Sequence, residues 1–234
     1  MRYLIILLLF CSSLRSKAQK FEFPKLPLRG SAISGLVPSN WKAIDTARGD
    51  LNADGLPDLA LVLEFNSAVA EMRAYGDADT EIIKEIQKPR ILAIYFKRKK
   101  TYDFAMQNND FMLRDKEGGI YGDPYEGLAI SNNILTLSFR GGSNWRWKLD
   151  YQFRLLHQQW TLIAAKNSYY HNASGEVDEK DYNFLTKEVK ETIGNLHTEN
   201  SNKTTTAPLY FGNLRTFSTF KKPWTWEIRK DEFL

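Results

Sequence analysis

Cysteine is almost absent: the chain of 234 residues has one, Cys11. It ends an apolar run, Tyr3 to Phe10, that follows the positive charge of Arg2. The run is too short to span a bilayer as a stable helix. Ser16-Lys17-Ala18 then puts small residues at the two positions a signal peptidase reads. Residues 1–18 are therefore expected to be a signal peptide cleaved after Ala18, making the protein secreted, periplasmic or extracellular. Phe10 is too bulky for the small residue that precedes a lipid-modified cysteine, which argues against a lipoprotein. The mature chain then has no cysteine. Disulfides, a thiol nucleophile and a thiolate metal site are excluded. An exported protein of this size must rely on its core and on any metal it binds.

Histidine is scarce too. His157, His171 and His197 lie in polar or turn-like stretches, and no HExxH spacing joins them. No GxSxG elbow is present, so an α/β-hydrolase serine has no support. Ser143, in Gly141-Gly142-Ser143-Asn144-Trp145, reads as part of a glycine hairpin. No apolar run beyond the leader reaches membrane-spanning length, so no transmembrane span is expected in the mature chain. No repeat of useful length occurs. Charge of one sign is also missing. Loss of Arg2, Arg15 and Lys17 takes the basic residues from 32 to 29 against 28 acids, which offers nothing to nucleic acid.

Aromatic residues are plentiful, at 13% with six Trp, and favour half-buried strands. Leu59 to Phe65 and Ile91 to Phe96 are near-continuous apolar runs, predicting strands buried on both faces. Asp79 to Gln87, stopped by Pro89, predicts a short helix. Thr101 to Gln107 is the expected hairpin partner of the second apolar strand. Gly127 to Ser131 and Asn133 to Arg140 flank an Asn-Asn turn. In the next strand Trp145, Trp147, Leu149, Tyr151, Phe153 and Leu155 alternate with Arg146, Lys148, Asp150, Gln152 and Arg154, giving one buried and one wet face. Trp160 to Ala165 continues the meander. Residues 170–181 read as loop, and 182–193 as a short hairpin. The organisation expected is a β-rich domain over 19–194, a polar linker over 195–207 and an aromatic segment over 208–234 that docks on the body.

One stretch carries chemistry. Asp50, Asn52, Asp54 and Asp58 occupy positions 1, 3, 5 and 9 of a loop, with Gly55 at its tightest turn. A hard cation such as calcium takes six to eight oxygen ligands. Alternating oxygen-bearing side chains in a wound loop supply them, and the Leu56 carbonyl is the natural ligand at position 7. The order Asp-x-Asn-x-Asp-Gly-x-x-Asp before an apolar run resembles the calcium loops of integrin-type, FG-GAP and VCBS repeat proteins. It is also similar to the first nine residues of EF-hand and dockerin loops. Position 12 is Leu61 where an EF-hand has glutamate, and a strand-like run follows where an EF-hand has a helix. By position, the resemblance implies Asp50, Asn52, Asp54, Leu56 and Asp58 as ligands. It covers about sixteen residues in a single copy, too little for a propeller. The order of calcium loop, apolar strand, Gly-Gly-Ser turn and aromatic strands resembles uncharacterised secreted proteins of Bacteroidetes-like bacteria, a group that implies no activity.

The expectation is an α+β, β-rich domain: a mostly antiparallel meander, one or two short helices and one structural calcium loop. The leading functional reading is a non-enzymatic envelope protein that binds a protein or glycan partner. The second is a secreted hydrolase of glycans or peptidoglycan, which requires two carboxylates among Asp110, Asp115, Glu117, Asp123 and Glu126 to face each other across a groove. A purely structural role is the third.

Overall fold

A computed structural model describes residues 21–74, 82–198 and 202–234. The expected signal peptide and the first residues of the expected helix, Asp79 to Glu81, lie outside the described residues. In chain order the strands are β1 (Arg29–Gly30), β2 (Trp41–Gly49), β3 (Asp58–Phe65), β4 (Val69–Ala74), β5 (Ile82–Gln87), β6 (Arg90–Arg98), β7 (Thr101–Asn108) and β8 (Tyr125–Ser131). They continue as β9 (Ile134–Gly142), β10 (Trp145–Leu156), β11 (Gln159–His171), β12 (Glu176–Asn183), β13 (Glu188–Asn195), β14 (Lys203–Pro208), β15 (Glu227–Arg229) and β16 (Glu232–Phe233).

Two antiparallel sheets dominate. The first has the order β1-β7-β6-β3-β2, and the second is a seven-stranded meander from β8 to β14 in sequence order. Ala60, Val62, Leu92 and Ile94 of the first share one core with Leu135, Leu137, Phe139, Leu149, Tyr151 and Phe153 of the second. The opposite face of the first sheet carries Leu59, Leu61, Leu63, Ile91, Ala93 and Tyr95. These pack against Leu26 and Leu36, with Phe21 and Phe23 beside them. Strands β3 and β6 are thus buried on both faces, which is why their sequences lack alternation.

The sheets join where β2 meets β8. A bulge in β2 between Ala43 and Asp45 interrupts the register there. The Asp45 carboxylate accepts the Tyr125 hydroxyl at 2.7 Å and the Leu128 amide at 3.2 Å. Gly49 makes room for Ile130, whose Cγ2 would stand 2.5 Å from any Cβ there. The aromatic C-terminal segment lies in the same core: Phe217, Phe220, Trp226 and Leu234 are all buried in it.

Five expectations need correction. Among the described residues the helical content is a single 3-10 turn, Ile33–Gly35, so the α+β label gives way to a β-rich one. Residues 82–87 form β5, paired with β4. Ile82, Ile83 and Ile86 are β-branched, and branching at Cβ favours a strand over a helix. Residues 170–181 continue β11 and β12 around a short turn at 172–175. Hydroxyl and charge contacts across the strands, Ser168 to Glu179 and Lys166 to Asp181, take the place of an apolar pattern. The expected polar linker includes β14, whose threonines suit a strand and which pairs with β13 from Lys203 to Pro208. In β10, Leu149, Tyr151 and Phe153 are buried and Trp147 packs against the core, but Trp145 at the strand's end is 50% exposed.

The β4–β5 hairpin is turned inside out. Its buried face carries Glu71 and Gln87, and its outer face carries Met72 and Ile86, which are 69% and 62% exposed. The polar face is fixed by buried Arg114, whose Nε and Nη2 donate to the two Glu71 oxygens at 2.9 and 3.1 Å. The outer face, with Ala70 and Met72, forms one wall of a groove of about 1330 Å³. Phe21, Phe23, Trp41 and Phe65 line its other side.

Candidate functional site

The loop between β2 and β3 is wound tightly around its own backbone. The Asp54 amide donates to Asp50 Oδ1 at 3.2 Å and to Asn52 Oδ1 at 3.1 Å, and the Gly55 amide donates to Asp50 Oδ2 at 2.9 Å. The Leu56 amide donates to Asp54 Oδ1 at 2.9 Å. Asp and Asn side chains that capture amides two to five residues on build this turn without any partner. The winding requires left-handed backbone at Gly55, with φ of 81°, and at Ala53, with φ of 63°. Glycine takes that conformation freely, whereas at Ala53 it strains the backbone.

The five expected ligands divide into two groups. Asp50, Asn52 and Asp54 gather around residues 54–56. Asn52 Nδ2 donates to Asp54 Oδ2 at 3.1 Å, so an amide there balances carboxylate charge. Leu56 lies exposed on the same turn. Asp58 is fully buried and faces the strands: Oδ2 accepts the Leu51 amide and Oδ1 the Lys97 amide, each at 2.8 Å. It ties the loop to β6. Burial pushes its pKa up, Asp54 and Asp50 push the same way, and the two amides only partly offset this. Among the described residues, no three His, Cys, Asp or Glu side chains stand grouped to hold a metal ion as placed. The donor chemistry, all hard oxygen, fits calcium. Ligation would require the Asn52–Asp54 contact to open and those oxygens to turn inward.

Of the five carboxylates of 110–126, Glu117, Asp123 and Glu126 meet cations, while Asp115 keeps one buried oxygen without a hydrogen-bond partner. Arg90 donates to Asp123 through Nη1 at 2.8 Å and Nη2 at 2.5 Å. Glu117 accepts the Arg114 amide at 2.6 Å and pairs with Lys222 at 3.0 Å and Arg73 at 3.4 Å. Glu126 pairs with Arg140 at 3.0 Å. Burial pushes the Asp123 and Glu117 carboxyls up, but Arg90 on the first and Arg73 with Lys222 on the second outweigh it, and both titrate below the ordinary range. A general acid needs the opposite shift.

Glu232 behaves alike. Burial raises it, but hydrogen bonds from Arg229 and Lys180 prevail and lower it below its ordinary 4.5. A carboxyl lowered by folding contributes stability above its unfolded value and loses it as pH falls through the folded value. Asp58, raised, acts in the reverse sense. With Asp103 lowered as well, four lowered carboxyls stand against one raised, so the fold is expected to be acid-labile, with melting temperature falling as pH passes below 4.5. In Glu232→Gln that fall is expected to be shallower in thermal melts across pH. An unchanged profile would show that the C-terminal hairpin is not linked to acid unfolding.

Several groups have no signature in sequence. Arg90 and Arg114 are fully buried, yet each stands among apolar or charged neighbours that do not announce an ion pair. Trp224 donates its indole N–H to the Tyr169 hydroxyl at 3.1 Å, and Trp226 is core, so neither is a free binding surface. Trp145 lies against His171 with centroids 5.1 Å apart and the rings tilted by 55°. No protein-family model, curated protein or solved structure matches this chain.

Proposed function

We propose that this is an exported, calcium-stabilised envelope protein without catalytic activity that binds a protein or glycan partner. The loop at Asp50 to Asp58 carries the reading. Its oxygens surround one turn of backbone, its backbone is already wound, and its ninth residue is anchored to the core sheet. Calcium would be held by Asp50, Asn52, Asp54, the Leu56 carbonyl and the free lone pairs of Asp58. It would supply no chemistry there beyond charge and rigidity. The pinning of Glu117 and Asp123 by cations weighs against the hydrolase reading. The apolar groove beside the β4–β5 hairpin and the polar outer face of the larger sheet are the surfaces a partner has to choose from.

Because an ion must displace the Asn52–Asp54 contact, binding is expected in the weak range of extracellular modules, roughly 0.1–1 mM. An ion bound only by the folded state stabilises by mass action, by about 2.7 kcal/mol at a hundredfold excess over Kd. Calorimetry and thermal melts on the mature protein test this. Calcium should raise the melting temperature, and Asp50→Asn with Asp54→Asn should abolish the effect. The absence of both heat and melting shift at 10-fold excess over that range, about 10 mM calcium, would sink the proposal.

A further inference from the structure

The wet face of the seven-stranded sheet is uneven in charge. At its β9–β10 corner Lys148 stands directly opposite Arg140, with Arg146 opposite Gly142. Like charges directly across a ladder destabilise a sheet. One carboxylate answers two of these three cations: Glu126 reaches Arg140 at 3.0 Å and Lys148 at 3.8 Å. Arg146 has no carboxylate partner among the described residues. Its Nε and Nη1 are shielded from solvent and have no hydrogen-bond acceptor. The Tyr121 ring lies 4.6 Å from the Arg146 guanidinium and 5.4 Å from that of Arg140, holding both by cation–π attraction. Buried donors left without acceptors are uncommon enough to need a reason. Gly142 leaves the position beside Arg146 without a side chain.

The rest of this face has a different character. Two residues along β10 from Lys148, about 7 Å at strand spacing, begins a depression of about 460 Å³ lined by Thr136, Asp150, Gln152, Lys166, Asp181 and Asn183. Ala164, Ala165 and Tyr182 complete its lining, the tyrosine being buried beneath it. Protein interfaces bury an apolar centre, which this face does not offer. Hydroxyl, amide and carboxylate groups in a row suit a ligand rich in hydroxyls.

We infer that the outer face of the larger sheet binds an acidic polysaccharide, with Arg146 and Arg140 taking a sugar carboxylate and the depression taking the hydroxyls of the neighbouring units. The planar guanidinium matches a carboxylate through two parallel N–H bonds once the Arg146 side chain turns outward to present Nε or Nη1, and the uncompensated charge gives the corner its preference for anions. This rests on the partner-binding reading and names the partner for one surface.

The test is calorimetric titration of the mature protein with hyaluronan oligosaccharides, neutral dextran oligosaccharides, dextran sulfate and anionic phospholipid vesicles. Hyaluronan is expected to bind, and to weaken as salt rises. Arg146→Ala should weaken it at least tenfold. Arg146→Lys, which keeps the charge and loses the fork, should fall between. Thermal melts of each variant separate lost binding from lost fold, and Lys100→Ala, in the exposed turn between β6 and β7, serves as the folded control. No hyaluronan binding, or binding unchanged in Arg146→Ala, overturns the inference. Equal binding of dextran sulfate or vesicles overturns the carboxylate assignment. A glycan that binds wild type and Arg146→Ala alike leaves partner binding standing and removes this site.

Discussion

Replacing Phe111 by alanine is expected to destabilise the fold by about 3–5 kcal/mol, the largest effect of any single truncation here. Phe111 lies in the connection after β7, not in a strand, yet it is fully buried. The Asn108 side chain sets it there by accepting the Phe111 amide at 2.8 Å and the Asp110 amide at 3.1 Å. Its ring meets Tyr151, Phe153, Phe217 and Phe220 edge-on at centroid distances of 5.4, 5.2, 5.3 and 5.4 Å. Two of those rings belong to the larger sheet and two to the C-terminal segment. Truncation therefore opens a cavity where three parts of the chain meet, and such a site cannot collapse without moving a strand. Urea unfolding should show a lower midpoint with the slope preserved. Phe111→Leu should lose much less. A loss under about 1 kcal/mol for alanine would mean that the tail does not pack on this ring.

Arg90→Met is expected to cost about 3–5 kcal/mol, by a different route. The Arg90 Nε and Nη2 donate to Glu64 Oε2 at 3.0 and 2.6 Å, and Nη1 donates to the Leu113 carbonyl at 2.9 Å. With the two bonds to Asp123, the guanidinium joins β3 and β6 to the connection that leads into β8. Burial lowers its pKa, but Asp123 and Glu64 more than offset that, so it stays charged. Methionine fills the volume and leaves Glu64 buried, with only Lys42 at 3.1 Å and Lys88 at 3.9 Å to answer it. The loss is that of an unpaired charge, so a second change should recover much of it. Arg90→Met with Glu64→Met is expected to be more stable than Arg90→Met alone, because a well-packed apolar pair often equals a buried ion pair. Chemical denaturation of the two singles and the double gives the coupling. Additive losses would refute the account.

The two expectations differ in how far sequence reveals them. Strands β3 and β6 announce themselves because burial on both faces forces unbroken apolar runs. The buried face of β10 is equally legible, since Leu149, Tyr151 and Phe153 alternate with charged residues. The partner of that face is not. Phe111 and Phe217 are over a hundred residues apart in sequence, and no local pattern pairs them. Hairpin β4–β5 is illegible because its inner face carries Glu71 and Gln87 while Met72 and Ile86 point outward beside Lys84. Strand β12 was hidden for a related reason: cross-strand contacts of charged and hydroxyl groups replace apolar ones. The loop at Asp50 is the most local feature of all, since side chains two to five residues away from their amides build it. Its winding follows from sequence, whereas the inward turn of Asp58 depends on the Lys97 amide, thirty-nine positions on.

The larger sheet ends at β14, and among the described residues no strand pairs with its far side. A row of unpaired backbone groups can template another chain, so an open border of this kind has to be kept from recruiting copies. Strand β14 offers Lys203 at one end and Pro208 at the other, with exposed threonines between them. The lysine resists desolvation, the proline has no amide hydrogen to donate, and the hydroxyls give a stacked copy no dry surface. Six residues that contribute little to the core thus make this edge a poor template for a second copy.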